Sequence, residues 1–113
     1  MRLALIALAT LIPISAAAHH GWTSYDESRP VTVTAPLTDV EWTNPHGAAH
    51  IQHEKQVWTV VLAPISRMEA RGLTKDMLTT GKPVTLTGYP RRDGTPEMRI
   101  ERIQVADKTI ELR

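Results

Sequence analysis

The sequence predicts an all-β chain with a short helical connection, folded as a small OB-like barrel of five or six strands. Three observations predict it. Short segments between Val31 and Leu112 alternate apolar and polar residues, the period of half-buried strands. A helical stretch opened by Pro64 and closed at Gly72 separates the first group of strands from the last. The 113 residues suffice for one small core and not two, and closing a sheet removes the edges that a small domain must otherwise protect. A small open sandwich is the alternative that the pattern leaves open.

The elements follow in order. Val31-Thr32-Val33-Thr34 alternates as a strand, Ala35-Pro36 breaks it as a bulge or an edge, and the strand resumes through Leu37, Val40 and Trp42. Thr43-Asn44-Pro45-His46-Gly47 is a turn by composition. Ala48 to His53 is the next strand, with Ala49 and Ile51 inward and His46, Ala48 and His50 on the opposite face. Glu54-Lys55-Gln56 turns into a strand from Val57 to Leu62, whose core face is Trp58, Val60 and Leu62. After Pro64, Ile65, Met68 and Leu73 give a helix its apolar side, and Thr74 to Thr80 is a further short helix stopped by Gly81. Val84-Thr85-Leu86-Thr87 alternates again, Tyr89 to Gly94 is a hairpin loop, and Glu97 to Val105 and Thr109 to Leu112 are the closing strands.

Residues 1–18 read as an export signal: Arg2, an apolar run from Leu3 to Ile14, and a small-residue cleavage site. The run is shorter than the roughly twenty residues that span a bilayer, so no membrane span is expected after signal removal. Residues 19–30 form an N-terminal arm and 31–113 the barrel domain. The mature protein is expected in the periplasm or secreted. Without cysteine, it is held by its core alone. Thirteen Lys and Arg stand against twelve Asp and Glu, and loss of Arg2 leaves the two signs balanced. No basic excess marks a nucleic-acid partner.

In chain order, His19-His20-Gly21-Trp22-x-x-Tyr25-Asp26, Glu41-Trp42-Thr43-Asn44-Pro45-His46, Leu62-Ala63-Pro64-x-Ser66-Arg67-Met68, Gly88-Tyr89-Pro90 and Glu97-Met98-Arg99 resemble a family of small exported bacterial proteins of unknown function. The resemblance covers nearly all of the mature chain. It implies a periplasmic location and a β-rich, barrel-like fold, and it carries no established activity. The chain departs from the commoner pattern at Pro36 and at Gly47-Ala48, where larger residues or His are often found. A looser analogy leads to small periplasmic copper chaperones on OB barrels, which hold Cu(I) with His, Met and Trp. His46, His50, Met98 and Trp42 are of those types, without a residue-by-residue match.

Histidine-based metal binding is the leading chemistry. Cleavage after Ala18 leaves His19 first, and cleavage one residue earlier leaves Ala18-His19-His20. Either places a free amine beside two imidazoles, a nitrogen set suited to Cu(II) or Ni(II). His46 and His50 would stand about 13 Å apart along an extended strand, too far for a two-residue site. The expected metal ligands are therefore His19, His20 and His46, with His50 as a fourth; the alternative is that His46 completes the turn through a hydrogen bond and that His50 and His53 sit on a solvated strand. Copper is the expected cofactor, with Zn(II) second.

Trp22, Tyr25 and Trp42 form an aromatic set in a chain without phenylalanine, supplying either core volume or an aromatic wall beside a ligand groove, and Arg91 and Arg92 head a basic hairpin. Together they are the candidate ligand or partner surface, the basis of an alternative reading as a non-metal module that contacts an envelope protein. Tyr25-Asp26 could equally dock the arm on the barrel. Met68, Met77 and Met98 fall at core positions. With no Gly-x-Ser-x-Gly elbow, phosphate loop or His-Glu-x-x-His helix, no enzymatic activity is expected.

Overall fold

The computed structural model describes residues 21–113. After a 3₁₀ turn at Trp22–Ser24 come β1 (Val31–Ala35), β2 (Thr38–Glu41), β3 (Ala48–His53), β4 (Gln56–Val61), α1 (Ile65–Ala70), α2 (Lys75–Leu78), β5 (Val84–Pro90), β6 (Glu97–Val105) and β7 (Lys108–Glu111). The strands form one sheet in the order β1-β5-β6-β4-β3-β2, with β7 on β6 off this path. β1 and β2 are the two ends of that path, yet only Pro36 and Leu37 separate them in the chain. A sheet whose ends are successive halves of one segment has to curl until they approach. Proline at the joint has no N–H for a ladder, which is why the pairing changes partners there.

Neighbouring strands are antiparallel except β4 and β6, which run parallel through Thr59↔Glu97, Val60↔Met98 and Val61↔Arg99. Parallel neighbours need a crossover, and α1, α2 and β5 supply it. With β1 and β2 counted as one bent strand, the result is a small, partly open barrel of OB-like type. It has five strands, and β7 is a sixth.

The alternation read from the sequence sets the core. Ala49, Ile51, Val60, Leu62, Leu86, Met98 and Ile100 are at most 2% exposed. Met68, Leu73 and Leu78 of the helical connection join the same cluster. Gly72 and Gly81 end the two helices at φ +89° and +75°, values that favour glycine. Arg67 of α1 and Arg71, which caps its C-terminus, donate to the carbonyls of Leu112 and Glu111 at 3.0 and 2.8 Å, tying the last strand to the helix.

Beyond one-residue shifts at the ends of β4 and β7, three differences from the sequence reading stand out. The Tyr89–Gly94 segment is not all loop, because β5 continues to Pro90. The second strand ends at Glu41, short of Trp42. Between Ile100 and Ile103, both buried, β6 carries an extra residue where the β5–β6 register shifts at Thr87/Gly88. That bulge turns two isoleucines three residues apart onto one face.

Gly88 sits at this bulge, where a Cβ would stand 2.3 Å from the Arg99 carbonyl oxygen. That oxygen belongs to a laddered backbone and has little freedom to retreat. Gly88→Ala is expected to lower stability by about 3 kcal/mol, read as a lower denaturant midpoint with an unchanged slope.

Candidate functional site

Among the described residues no buried residue is polar or charged. The barrel interior is therefore apolar, and polar chemistry is confined to the outer face and the loops. Two groups of side chains stand out there.

The first lies on β3 and the loop before it. Gly47 donates to the Ala63 carbonyl and accepts from the Leu62 N–H, both at 2.9 Å, so the β3–β4 ladder extends one residue beyond β3. A Cβ at Gly47 would point at Met68 and Leu62, on the core side. His46 therefore takes the outward parity, with Ala48 and His50. The His46 Nδ1 stands 3.0 Å from the Gly47 carbonyl. A carbonyl only accepts, so Nδ1 carries the proton and the Nε2 lone pair is left open.

His50 lies between Thr38 of β2 and Thr59 of β4. Its Nδ1 is 3.0 Å from Oδ2 of Asp39. A carboxylate acceptor assigns the same tautomer, again with Nε2 open. Both side chains of this pair are accessible, at 42% for His50 and 76% for Asp39. His53 belongs elsewhere. It packs edge-on against Trp58 with ring centroids 5.7 Å apart.

The second group fastens the arm. Tyr25 bridges to Arg91 in an antiparallel pair, the Asp26 N–H donates to the Pro90 carbonyl at 2.8 Å, and the Arg92 N–H donates to the Ser24 carbonyl at 3.1 Å. Tyr25 is 1% exposed. Its hydroxyl donates to Glu97 Oε2 at 2.8 Å, and Arg91 binds the same oxygen at 3.2 Å. Burial, then the hydrogen bond to Glu97 and the charge of Glu97, push the Tyr25 hydroxyl well above the usual tyrosine range. The guanidiniums of Arg99 and Arg113 stack on the Trp22 ring, at 4.4 and 4.2 Å from its centroid. Its edge meets Tyr89 at 6.1 Å. Tyr89 in turn donates to Glu101 at 2.8 Å, and Arg113 pairs with Glu27 and Glu101. Burial, together with repulsion from Arg67 and Arg113, lowers the Arg99 pKa from its ordinary value.

The sequence-predicted residues are thus sorted by the fold. Trp22, Tyr25, Arg91 and Arg92 come together, and they attach the arm to the body. Trp42 is not with them. It packs against the core, and its Nε1 reaches Glu69 of α1 at 3.5 Å. The hairpin arginines are not uniformly solvated either: Arg91 is only 20% exposed, against 58% for Arg92. His19, His20 and the proposed cleavage site lie outside the described residues. Among the described residues, no group of three or more His, Asp or Glu is arranged to hold a metal ion.

The two groups share one outer face. Glu97, which anchors Tyr25, pairs with Thr59, and Thr59 pairs with His50. Arg99, beneath Trp22, pairs with Val61, and Val61 pairs with Ala48. Each path crosses two strand spacings, about 10 Å. A groove of about 320 Å³ lined by Pro83, Thr85, Gln104, Asp107 and Lys108 lies at the far end of β5 and contains no histidine or aromatic residue. Among the described residues no helix is long and apolar enough to cross a membrane.

Sequence reasoning missed Asp39 as the partner of His50 and the stacking of Arg99 and Arg113 on Trp22. A signal for the first exists. Leu37 and Val40 both face the core cluster three residues apart, a spacing that strict alternation forbids and that marks an extra residue between Thr38 and Glu41.

The chain matches a family of unknown function, DUF6152, over residues 7–99, and it belongs to that family. No curated protein matches it.

The Tyr25 lock has a pH signature. Above the ordinary tyrosine pKa of 10.0 the unfolded chain releases a proton that the folded chain retains. Stability therefore falls as pH rises beyond that value. Tyr25→Phe is expected to cost about 1–2 kcal/mol near neutral pH and to flatten this alkaline decline. Urea denaturation between pH 8 and 11.5 checks both.

Proposed function

We propose that this member of a family of unknown function is an exported, periplasmic copper-binding protein, which holds Cu(II) through the His19-His20 terminus and His46, with His50 as a fourth donor that reaches the ion only if the strand bends, and catalyses no reaction. The observation that carries the reading is the shared polarity of His46 and His50. Each has Nδ1 committed to an oxygen acceptor, which leaves an Nε2 lone pair on the outer side of β3. Metal-bound histidines commonly have this arrangement, with the second ring nitrogen donating to a carboxylate or a carbonyl.

Reach supports it as well. His19 to Gly21 can span about 10 Å when extended, comparable to the two strand spacings between the arm's anchor and β3. A free amine and two further imidazoles would complete a nitrogen-rich set that suits Cu(II), with Zn(II) second. The arm's fastening would limit the volume that the terminus explores, raising its effective concentration at β3.

The test is a Cu(II) titration of protein recovered after export, followed by native mass spectrometry, the visible d–d band and tryptophan fluorescence. One tightly held copper per chain is expected. His46→Ala, His50→Ala or acetylation of the terminal amine should each weaken binding at least tenfold. Absence of tight one-to-one binding, or indifference to all three changes, overturns the reading.

A further inference from the structure

We propose that Asp39 is a positioning residue, placed by a bulge in β2 to fix His50 in the Nδ1–H tautomer and present its Nε2 lone pair outward to a borderline divalent cation. The cation rests on the copper reading above, whereas the tautomer does not.

The argument begins with register. Thr38 lies opposite His50 and Glu41 opposite Ala48, with a shift between them, so Asp39 and Val40 together face the single residue Ala49. In an unbroken strand Thr38 and Val40 would share the outer face and Asp39 would point into the core. The extra residue reverses this. Val40 packs against the core, and the Asp39 carboxylate comes onto the outer face beside His50. The backbone conformation that achieves it is left-handed, at φ +48°, a region that Asp tolerates better than most residues and Gly best.

Fold stability alone gives little reason for this arrangement. The pair is accessible on both sides, and exposed pairs of this kind contribute little. What the contact changes is the ring. A carboxylate on Nδ1 selects the proton position and restrains the ring, which leaves Nε2 as its free acceptor. The main chain does the same for His46 through the Gly47 carbonyl, so the two rings offer the same nitrogen.

Two measurements on protein expressed with its own leader test the proposal. In metal-free, 15N-labelled protein at mildly alkaline pH, long-range imidazole spectra should show His50 protonated on Nδ1. Asp39→Gly keeps the left-handed backbone and removes the acceptor, and should move the proton predominantly to Nε2. Asp39→Asn, whose amide oxygen still accepts, should largely retain the wild-type pattern. Cu(II) affinity should fall tenfold to a hundredfold in Asp39→Gly and less in Asp39→Asn, with thermal unfolding of Asp39→Gly no lower than wild type. A wild-type His50 protonated on Nε2, or the same tautomer in Asp39→Gly, overturns the proposal. Copper binding that is tight and equal in wild type and Asp39→Gly overturns the presenting role of Asp39 and leaves the copper reading standing. Failure of the wild type to bind copper removes the cation, and the tautomer spectra still decide the role of Asp39.

Discussion

The architecture depends on the joint at Pro36-Leu37. Because β1 and β2 are halves of one segment that end opposite sides of the same sheet, the sheet must close around whatever its inner face carries. That face carries apolar side chains, and among the described residues no polar residue is buried. Closure and an apolar interior together leave the outer surface as the place for polar chemistry. They also decide which outer residues are neighbours. Glu97, Thr59 and His50 share a row because β6, β4 and β3 are adjacent, although they come from distant parts of the chain.

Two irregularities shape that surface. The bulge in β6 keeps Ile100 and Ile103 both inside, next to the tight approach of Gly88. The bulge in β2 keeps Val40 in and turns Asp39 out. Each follows the same physical logic: a strand whose apolar residues fall three apart can bury both only by adding a residue to one side of the ladder. In β6 the consequence is packing, and in β2 it brings a carboxylate to an imidazole.

The fold was legible where the period held. Ala48 to His53 and Glu97 to Val105 were bounded correctly because alternation and flanking turns agree, and Pro64, Gly72 and Gly81 marked the helical connection. Legibility stopped where register took over. Nothing local distinguishes a parallel from an antiparallel neighbour for Val57 to Val61, and a one-residue slip exchanges every cross-strand partner. The shared parity of His46 and His50 was therefore readable and the Asp39 contact was not. Docking of Tyr25 on the body is one of the alternatives that its place after the arm leaves open. The stacking of Arg113 on Trp22 is not among them, since it joins residues from the two ends of the described chain.

The bent first strand has a consequence for how the molecule is made. Val31 pairs with Gly88 and Ala35 with Val84, so the Val-Thr-Val-Thr-Ala segment has no ladder until most of the polypeptide has been delivered. Synthesis from the amino end thus leaves a β-prone, uncharged stretch waiting for its partner, the kind of segment that seeks other chains when it is crowded. The residues on either side of it, Arg29-Pro30 before and Pro36 after, are a charge and two imino acids, the types that act as gatekeepers against such association.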